Sequence, residues 1–499
     1  MATATLSFPA GSLKSAKIQT GLFIGGEFVP SADGATLEVT DPSTGKKICD
    51  VSEAKSADVD KAVKAAQHAY DTVWGVKCPA HERGKLLIAL AEAIEANKAE
   101  LAAIEALDNG KPRAIAEAFD VSEAAACLRY YGGWADKNSG RIQEVHDQKL
   151  ALIRHEPIGV VGQIIPWNFP ILMFAWKIAP ALATGNAIVM KTSENTPLSA
   201  LKVCELAAKI LPKGVLNVLT GYGKTAGQAI AEHMDIQKVA FTGSTLVGRQ
   251  IMKAAAASNL KRVTLELGGK SPNIVFADAD IDQAVKWASF GLFFNMGQCC
   301  CAGSRIYVES SIYDKFLEKL RNHMKSMKQG SPFQDETFLG PQVSQVQYDR
   351  IMNYIEDGKK AGGKIETGGN RQGSEGYFIE PTIFTDVKQD AKIMQEEIFG
   401  PVVIVSKFEN EQDLIKTAND TVYGLAAAVF TSRIDKAFRV AHELKAGTVW
   451  INCYNQLHSS VEFGGYKTSG IGRELGQMAL ENYTAVKSIH VNLGTDNAP

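Results

Sequence analysis

The chain has 499 residues, 45% of them apolar, enough to build about two or three cores of ordinary domain size. Its formal net charge of −2, with Lys and Arg scattered, offers no basic patch for a nucleic acid or an anionic membrane. No run approaches the roughly 18 apolar residues of a spanning helix, and eight cysteines without framework spacing fit a reducing compartment.

Residues 1–20 carry Ser, Thr, Ala, Lys14 and Lys17 but no acid and no Arg. A transit helix would be rich in arginine, so this stretch reads as a disordered cytosolic leader, with the mitochondrial matrix the lesser alternative. Residues 22–29 read as a hairpin turning at Gly25-Gly26. Val59, Val63, Ala66, Tyr70 and Trp74 then recur at helical spacing, and Leu86, Leu87, Leu90 and Ile94 begin a second run. Leu101, Ile104 and Leu107 extend that run until Asp108-Asn109-Gly110-Lys111-Pro112 stops it. From 140 to 157 the helical period is lost and the chain reads as extended.

The next hundred residues alternate strand with helix. Strands are expected at 159–165, 187–191, 215–219, 239–241 and 262–267, which predicts an α/β fold with a doubly wound, Rossmann-type parallel sheet. Thr196-Pro197 reads as a cap and first-turn proline of one of its helices. Ligands of such sheets bind beyond the carboxyl ends of the strands. Those places hold Trp167-Asn168-Phe169-Pro170, Lys191-Thr192-Ser193-Glu194, Gly221-Tyr222-Gly223, Gly243-Ser244-Thr245-Leu246-Val247-Gly248 and Glu266. Neither glycine set matches the G-x-G-x-x-G fingerprint, so each reads either as a plain turn or as a phosphate contact. Glu194 could accept from a ribose 2′-hydroxyl, favouring NAD over NADP, although alone it would pass for a solvated charge.

A second α/β region runs from about 270 to 470, with strands at 274–276, 305–308, 402–405 and 448–451 and a helix near Ile281. Glu396-Glu397-Ile398-Phe399-Gly400-Pro401 precedes one of them and alone reads as a charged loop. Residues 488–493 alternate as a terminal strand that needs a sheet, which a partner subunit could provide.

Phe294-Asn295-Met296-Gly297-Gln298-Cys299-Cys300-Cys301-Ala302-Gly303-Ser304-Arg305 gathers three of the eight cysteines. Adjacent cysteines bridge poorly, and a run without a spaced partner pair makes a poor metal site, so no metal is expected. A nucleophile or a plain buried run remains. The flanking glycines let backbone approach a ligand closely, and a thiol of ordinary pKa needs a base, for which Glu266 in Leu265-Glu266-Leu267-Gly268-Gly269-Lys270 is the candidate.

Six of these motifs, from Trp167-Asn168-Phe169-Pro170 to Glu397-Ile398-Phe399-Gly400-Pro401, resemble in order and spacing the signature set of the NAD(P)-dependent aldehyde dehydrogenases, closest to the broad-specificity class that oxidises acetaldehyde. The resemblance implies that Cys300 is the nucleophile, Glu266 the base, Asn168 an oxyanion donor, and Lys177 with Glu474 a proton-relay pair. It implies NAD contacts at Ile165, Trp167, Lys191, Glu194, Gly223, Gly243, Ser244, Gly248, Leu267, Gln347, Glu397 and Phe399. Substrate walls would be Phe169, Met173, Trp176, Phe294, Cys299, Cys301, Leu457 and Phe463. The substrate would be a small-molecule aldehyde and the assembly a homotetramer.

By the same resemblance, residues 21–139 and 158–266 form the NAD-binding domain, 267–470 the catalytic domain, and 140–157 with 483–497 an oligomerisation element. Leu246 stands where the family usually has an acid, Arg350 where lysine is common, Glu462 where proline is usual and Leu457 where an aromatic is common. The last two changes are expected to border the substrate funnel. Two rival classes are an esterase working through Cys300 and Glu266 without NAD, and a retired enzyme kept for binding, which should show a damaged catalytic set.

Overall fold

The computed structural model describes residues 2–9 and 13–494. Its first sheet has eight strands in the order Gly470–Ile471, Arg262–Glu266, Lys238–Thr242, Val160–Ile164, Ala187–Lys191, Leu216–Leu219, Leu22–Ile24 and Glu27–Val29. The five expected strands are its parallel centre, and four of them are buried at every position or nearly so, as continuous apolar runs between two helical layers must be. Val160–Ile164 pairs with Ala187–Lys191 on one side and Lys238–Thr242 on the other. Chain direction through the sheet therefore reverses there, and the loop that follows, residues 165–169, opens at the switch point. The Gly25-Gly26 hairpin forms as expected, with both glycines at positive φ.

Seven strands make the second sheet, in the order Lys364–Thr367, Thr382–Thr385, Val402–Phe408, Arg305–Glu309, Pro272–Val275, Ala426–Phe430 and Thr448–Ile451. Four were legible in the sequence. Ala426–Phe430 was not, because a strand that begins with three alanines lacks the branched side chains that mark strands.

Two expectations are corrected. The leader is not disordered: Thr3–Ser7 pairs with Ser15–Gln19, and Leu6, Phe8, Ala16 and Ile18 are buried against Leu37, Val39, Ile104, Leu107 and Phe333. Apolar residues at alternate positions on both strands give the hairpin one packing face, so burial outweighs its polar composition. Met1 and residues 10–12 lie outside the described residues. The terminal strand, Thr484–Asn492, finds its sheet within the chain, pairing along its whole length with Lys149–Pro157, which also pairs with Arg141–His146. Residues 495–497 of the expected oligomerisation element lie outside the described residues.

Thr196 does not cap its helix. Asp108 Oδ2 accepts from the Leu198 N–H at 2.9 Å, and that Asp108 comes from the last turn of helix Lys98–Asn109, ended by Gly110 at φ 83°. Among the described residues no helix is long and apolar enough to cross a membrane.

The docked leader yields a stability prediction. Ile18 is 1% exposed, so Ile18→Ala should cost about 2–5 kcal/mol, read from the urea midpoint. A change within about 0.5 kcal/mol would mean the hairpin is not packed as described.

Candidate active site

Three loops converge at the carboxyl end of the first sheet. The first, Pro166-Trp167-Asn168-Phe169, leads into the buried helix Pro170–Ala183, whose first position takes a proline because no N–H is needed there. Helix Lys98–Asn109 grips this loop: Asn109 Nδ2 donates to the Trp167 carbonyl at 2.7 Å, and Glu105 Oε1 accepts from the Ile171 N–H at 3.1 Å. The Lys111 ammonium lies 4.3 Å from the Phe169 ring centre. Asn168 is thereby fixed, its Nδ2 donating to the Gln298 carbonyl at 3.0 Å.

The second loop carries the thiols. After helix Ile281–Phe293 the chain takes three left-handed residues, Asn295, Met296 and Gly297, at φ 52°, 57° and 73°. Asn295 Nδ2 donates to the Asn168 carbonyl at 2.8 Å and so ties this turn to the first loop. Glycine at 297 is required by space, since a Cβ there would sit 2.1 Å from the Gly400 carbonyl oxygen. Of the three thiols Cys299 and Cys301 are buried, their sulfurs 3.4 Å apart, and Cys301 donates to Asn455 Oδ1 at 3.2 Å. Cys300 alone is partly open. The plain buried run is thus correct for two of the three, and the accessible thiol is the middle one. Its hydrogen bond with Cys299, followed by burial and the charges of Cys299 and Glu266, holds the Cys300 thiol well above the ordinary range. Hydrogen bonds from Cys300 and Cys301 hold Cys299 well below it.

Glu266 ends strand Arg262–Glu266, and neither of its oxygens has a hydrogen-bond partner in the protein. Burial, then the Glu474 carboxylate, push its pKa well above the usual carboxylate range, while Lys177 and Arg473 pull it down. Gly464 makes room for it, because a Cβ there would come within 2.7 Å of Oε1. Lys177 and Glu474 form a buried ion pair, and the Glu474 backbone exchanges two hydrogen bonds with Phe463 at 2.7 and 2.8 Å. Proton-handling groups and a funnel wall are thereby built back to back.

The third loop bears Glu397 and Phe399. Glu397 Oε1 accepts from the Gly269 N–H at 3.2 Å, and burial pushes its pKa up to about 7. Gln347 Nε2 donates to the Phe399 carbonyl at 2.8 Å, Arg350 donates to the Glu397 carbonyl at 2.9 Å, and the Phe399 ring meets Trp167 edge-on.

These loops enclose a cavity of about 1090 Å³, counting the solvent at its mouth. Cys300, Glu266, Asn168 and Glu474 line it, with Lys177 behind Glu474. Phe169, Met173, Trp176, Phe294, Cys299, Cys301, Leu457 and Phe463 form its walls. Trp167, Gly243, Ser244, Leu267, Gln347, Glu397 and Phe399 line the part toward the cofactor strands.

A second cleft lies beside helix Thr245–Ala257, bordered by Ile164, Gly223, Gly227, Phe241 and Val247. Lys191 and Glu194 line neither cavity. Their side chains pair at 3.3 Å, and the Lys191 stem passes beside Gly227, next to that cleft. Gly248 serves packing, its missing Cβ admitting Leu267, while Ile165 spends its N–H on the Lys191 carbonyl. Ser244 caps its helix by accepting from Val247 N–H at 3.3 Å.

One departure is reassigned. Leu457 borders the funnel, but Glu462 does not: its Oε1 accepts from the Gln477 and Met478 N–H groups and caps a short helix instead. Leu246 is solvent-exposed and touches neither cavity. Sequence reasoning missed Phe119, Leu172, Thr242 and Asn455. Phe119 sits in a widened helical turn, Ala116–Val121, which brings its ring to 5.4 Å from Phe294, and no sequence period signals such a turn.

The family pattern described as the aldehyde dehydrogenase family matches residues 28–489. An aldehyde dehydrogenase of Alternaria alternata is 60% identical over 476 residues, 95% of this chain and 96% of that protein. The mitochondrial aldehyde dehydrogenase of Homo sapiens is 50% identical over 500 residues, 100% of this chain and 96% of that one. An aldehyde dehydrogenase from Bacillus cereus, solved as its NAD+ complex, superposes with a TM-score of 0.94 at 48% identity, covering 95% of this chain and 97% of that chain. Shared motifs, fold and site agree: the chain belongs to the aldehyde dehydrogenase family.

Proposed function

We propose that the protein oxidises acetaldehyde and other aliphatic aldehydes to carboxylic acids with NAD+ and water, through a covalent adduct on Cys300. The observation that carries this reading is one cavity lined by a single partly open thiol, a buried carboxylate without a partner in the protein, and an amide fixed by its bond to the Gln298 carbonyl. A dinucleotide fits the remainder. Thr242 Oγ1 is buried without a partner at the edge of that cavity, Gly223 leaves open space beside the second cleft, and helix Thr245–Ala257 begins at Gly243-Ser244 with free N–H groups suited to pyrophosphate. Lys191 and Glu194 would hold the adenosine ribose, Glu397 the nicotinamide ribose, and the bound cofactor supplies the hydride acceptor.

The chain's own groups do the rest. Cys300 rests as a thiol, so Glu266 first takes its proton and the thiolate adds to the aldehyde carbonyl. Asn168 Nδ2 and the Cys300 backbone N–H donate to the oxyanion, charge that exists only during reaction. The oxidised adduct is a thioester on the same sulfur. Glu266 passes the thiol proton to the Glu474 carboxylate of the Lys177–Glu474 pair behind it, then draws a proton from water to hydrolyse the thioester, which frees the Cys300 thiolate with the carboxylic acid. The apolar walls favour small aliphatic aldehydes. An intact catalytic set speaks against a retired enzyme, and a second cleft at the carboxyl ends of the strands, with the Lys191 stem beside it, would have no purpose in an esterase.

A cytosolic location and a homotetramer complete the proposal. Exposed Ile142, Val145 and Val486 on the three-stranded sheet support the second, and sedimentation of the native protein tests it.

Stopped-flow absorbance with acetaldehyde should show both the first NADH turnover and the steady rate slowed by about 10²–10⁴-fold in Glu266→Gln, which loses the base for both steps, and no NADH burst in Cys300→Ser. Equal NADH formation by wild type and Cys300→Ser would remove the thiol from the mechanism.

Glu266 works as a base only when ionised, so the acid limb of the kcat profile should lie above the ordinary carboxylate range. Lys177→Met removes an attraction to the anion and should move that limb to higher pH; Glu474→Gln removes a repulsion and should move it lower. An unmoved limb in both variants contradicts the coupling.

Glu194→Ser should raise kcat/KM with NADP relative to NAD by about tenfold or more, since a 2′-phosphate no longer meets a carboxylate. An unchanged ratio would mean Glu194 does not face the ribose.

A further inference from the structure

Behind the active-site wall lies a small cavity that the proposed reaction does not use. It is bounded by Lys270 and Pro272 at the start of strand Pro272–Val275, by Arg305, by the 418–427 segment, and by Lys445 and Lys467 at its mouth. Four cations border it and no carboxylate of the described residues does. Lys270 is 1% exposed, and its Nζ has no hydrogen-bond partner. Arg305, fully buried, spends three N–H groups on the Lys270 carbonyl at 2.9 Å, the Tyr307 hydroxyl at 3.2 Å and the Ala418 carbonyl at 2.8 Å, which leaves two of its five unassigned. Lys467 Nζ donates to the Asn419 and Thr421 carbonyls at 2.8 and 2.9 Å and keeps one proton.

Unassigned cationic donors on Lys270, Arg305 and Lys467 therefore border the cavity with no anion among its lining residues. Burial and the Arg305 guanidinium pull Lys270 down to about 7, against the attraction of Glu397 and Glu396, which stand outside the cavity. Asp420, also outside, acts in the same attractive sense on Arg305 and Lys467. A buried ammonium without an acceptor is strongly unfavourable, since it loses both its hydration and its hydrogen bonds. A water molecule would supply one acceptor but no charge. On the measure that gives about 1090 Å³ for the active-site cavity this space is about 260 Å³, open solvent included, and its enclosed part takes about one water-sized sphere, so it suits a single small occupant rather than phosphate or sulfate.

We infer that Lys270, Arg305 and Lys467 form an anion site that takes one chloride ion. The ion accepts from the Lys270 ammonium and the free guanidinium N–H groups, and the exposed Lys467 and Lys445 side chains close over it. Its place gives it a purpose. Lys270 follows Gly268-Gly269, the stretch on which Glu397 rests, and lies four residues beyond Glu266; Ser469, two residues beyond Lys467, donates from Oγ to the Gly268 carbonyl at 2.7 Å. Chloride would tie these segments together and hold the base-bearing strand end against the thiol-bearing half of the molecule.

Crystals of the full chain soaked in sodium bromide test the site directly. An anomalous peak within hydrogen-bond reach of Lys270 Nζ and Arg305 is expected in wild type and should vanish in Lys270→Met. No peak, or density that refines only as water, overturns the inference. In solution, potassium chloride should raise Tm by about 1 °C over potassium gluconate at equal ionic strength, an increment that Lys270→Met should lose. Should Lys270→Met fail to fold, the surface variant Lys467→Gln carries the comparison: a smaller chloride increment supports the site, and an undiminished one overturns it.

Discussion

Everything in this site depends on burying one carboxylate without a partner in the protein. Glu266 has no hydrogen-bond partner on either oxygen, and a buried carboxylate in that state is driven toward its neutral form. Such a group is a poor ion pair and a good base. The surrounding structure regulates how far the shift goes. Glu474 raises it further, and Lys177 restrains it by standing beyond Glu474 rather than against Glu266, so the lysine's strong pairing goes to the relay carboxylate. Had Lys177 met Glu266 directly, the base would be neutralised by its own counter-ion.

A buried base is useful only if the sulfur meets it at a fixed distance, and that is a problem of loops. Here the loops are held by side chains of neighbouring helices. One helical end, Glu105 through Asn109, caps helix Pro170–Ala183, caps helix Leu198–Ala207 and grips the Trp167 carbonyl. Asn295 then fastens the thiol turn to Asn168, and Gly297 lets that turn lie against Gly400. The strained residues 295 and 296 are maintained because these contacts determine the turn on both sides.

What the sequence disclosed follows from where the information lies. Strand positions such as 187–191 and 238–242 are continuous buried runs, and their alternation with helices made the first sheet legible. Cys300, Glu266 and Asn168 were legible because their chemistry needs particular residue types in particular motifs. The choice of Cys300 over its neighbours came from family likeness, and the physical reason, its partial opening to the cavity, is a property of the folded turn. Phe119 was hidden because a widened turn breaks the period that would have placed it, and Asn455 because its only signal is a contact across 154 residues of chain. The leader misled through composition: four apolar residues suffice to dock a hairpin when they share one face.

The groups proposed as base and nucleophile reside on different sheets, Glu266 at the end of a strand of the first and the thiol loop beside the second, so the proposed reaction needs the chain between them to be rigid. It crosses from one sheet to the other in residues 267–271, which include two glycines and no regular hydrogen-bonded element. Rigidity comes from outside. Ser469 donates to the Gly268 carbonyl, its own carbonyl accepts from Leu267 N–H at 2.8 Å, and Gly424 N–H donates to its hydroxyl at 2.9 Å. One serine thereby joins the crossover to both a second-sheet loop and the strand Gly470–Ile471 that pairs with Arg262–Glu266. Glycine is needed at 268 and 269 for the same reason it weakens them: a Cβ would strike Glu397 at the first and the Cys300 carbonyl at the second. Close approach of Glu266, the thiol loop and Glu397 is therefore achieved by removing side chains from the crossover and recovering its order through a distant residue.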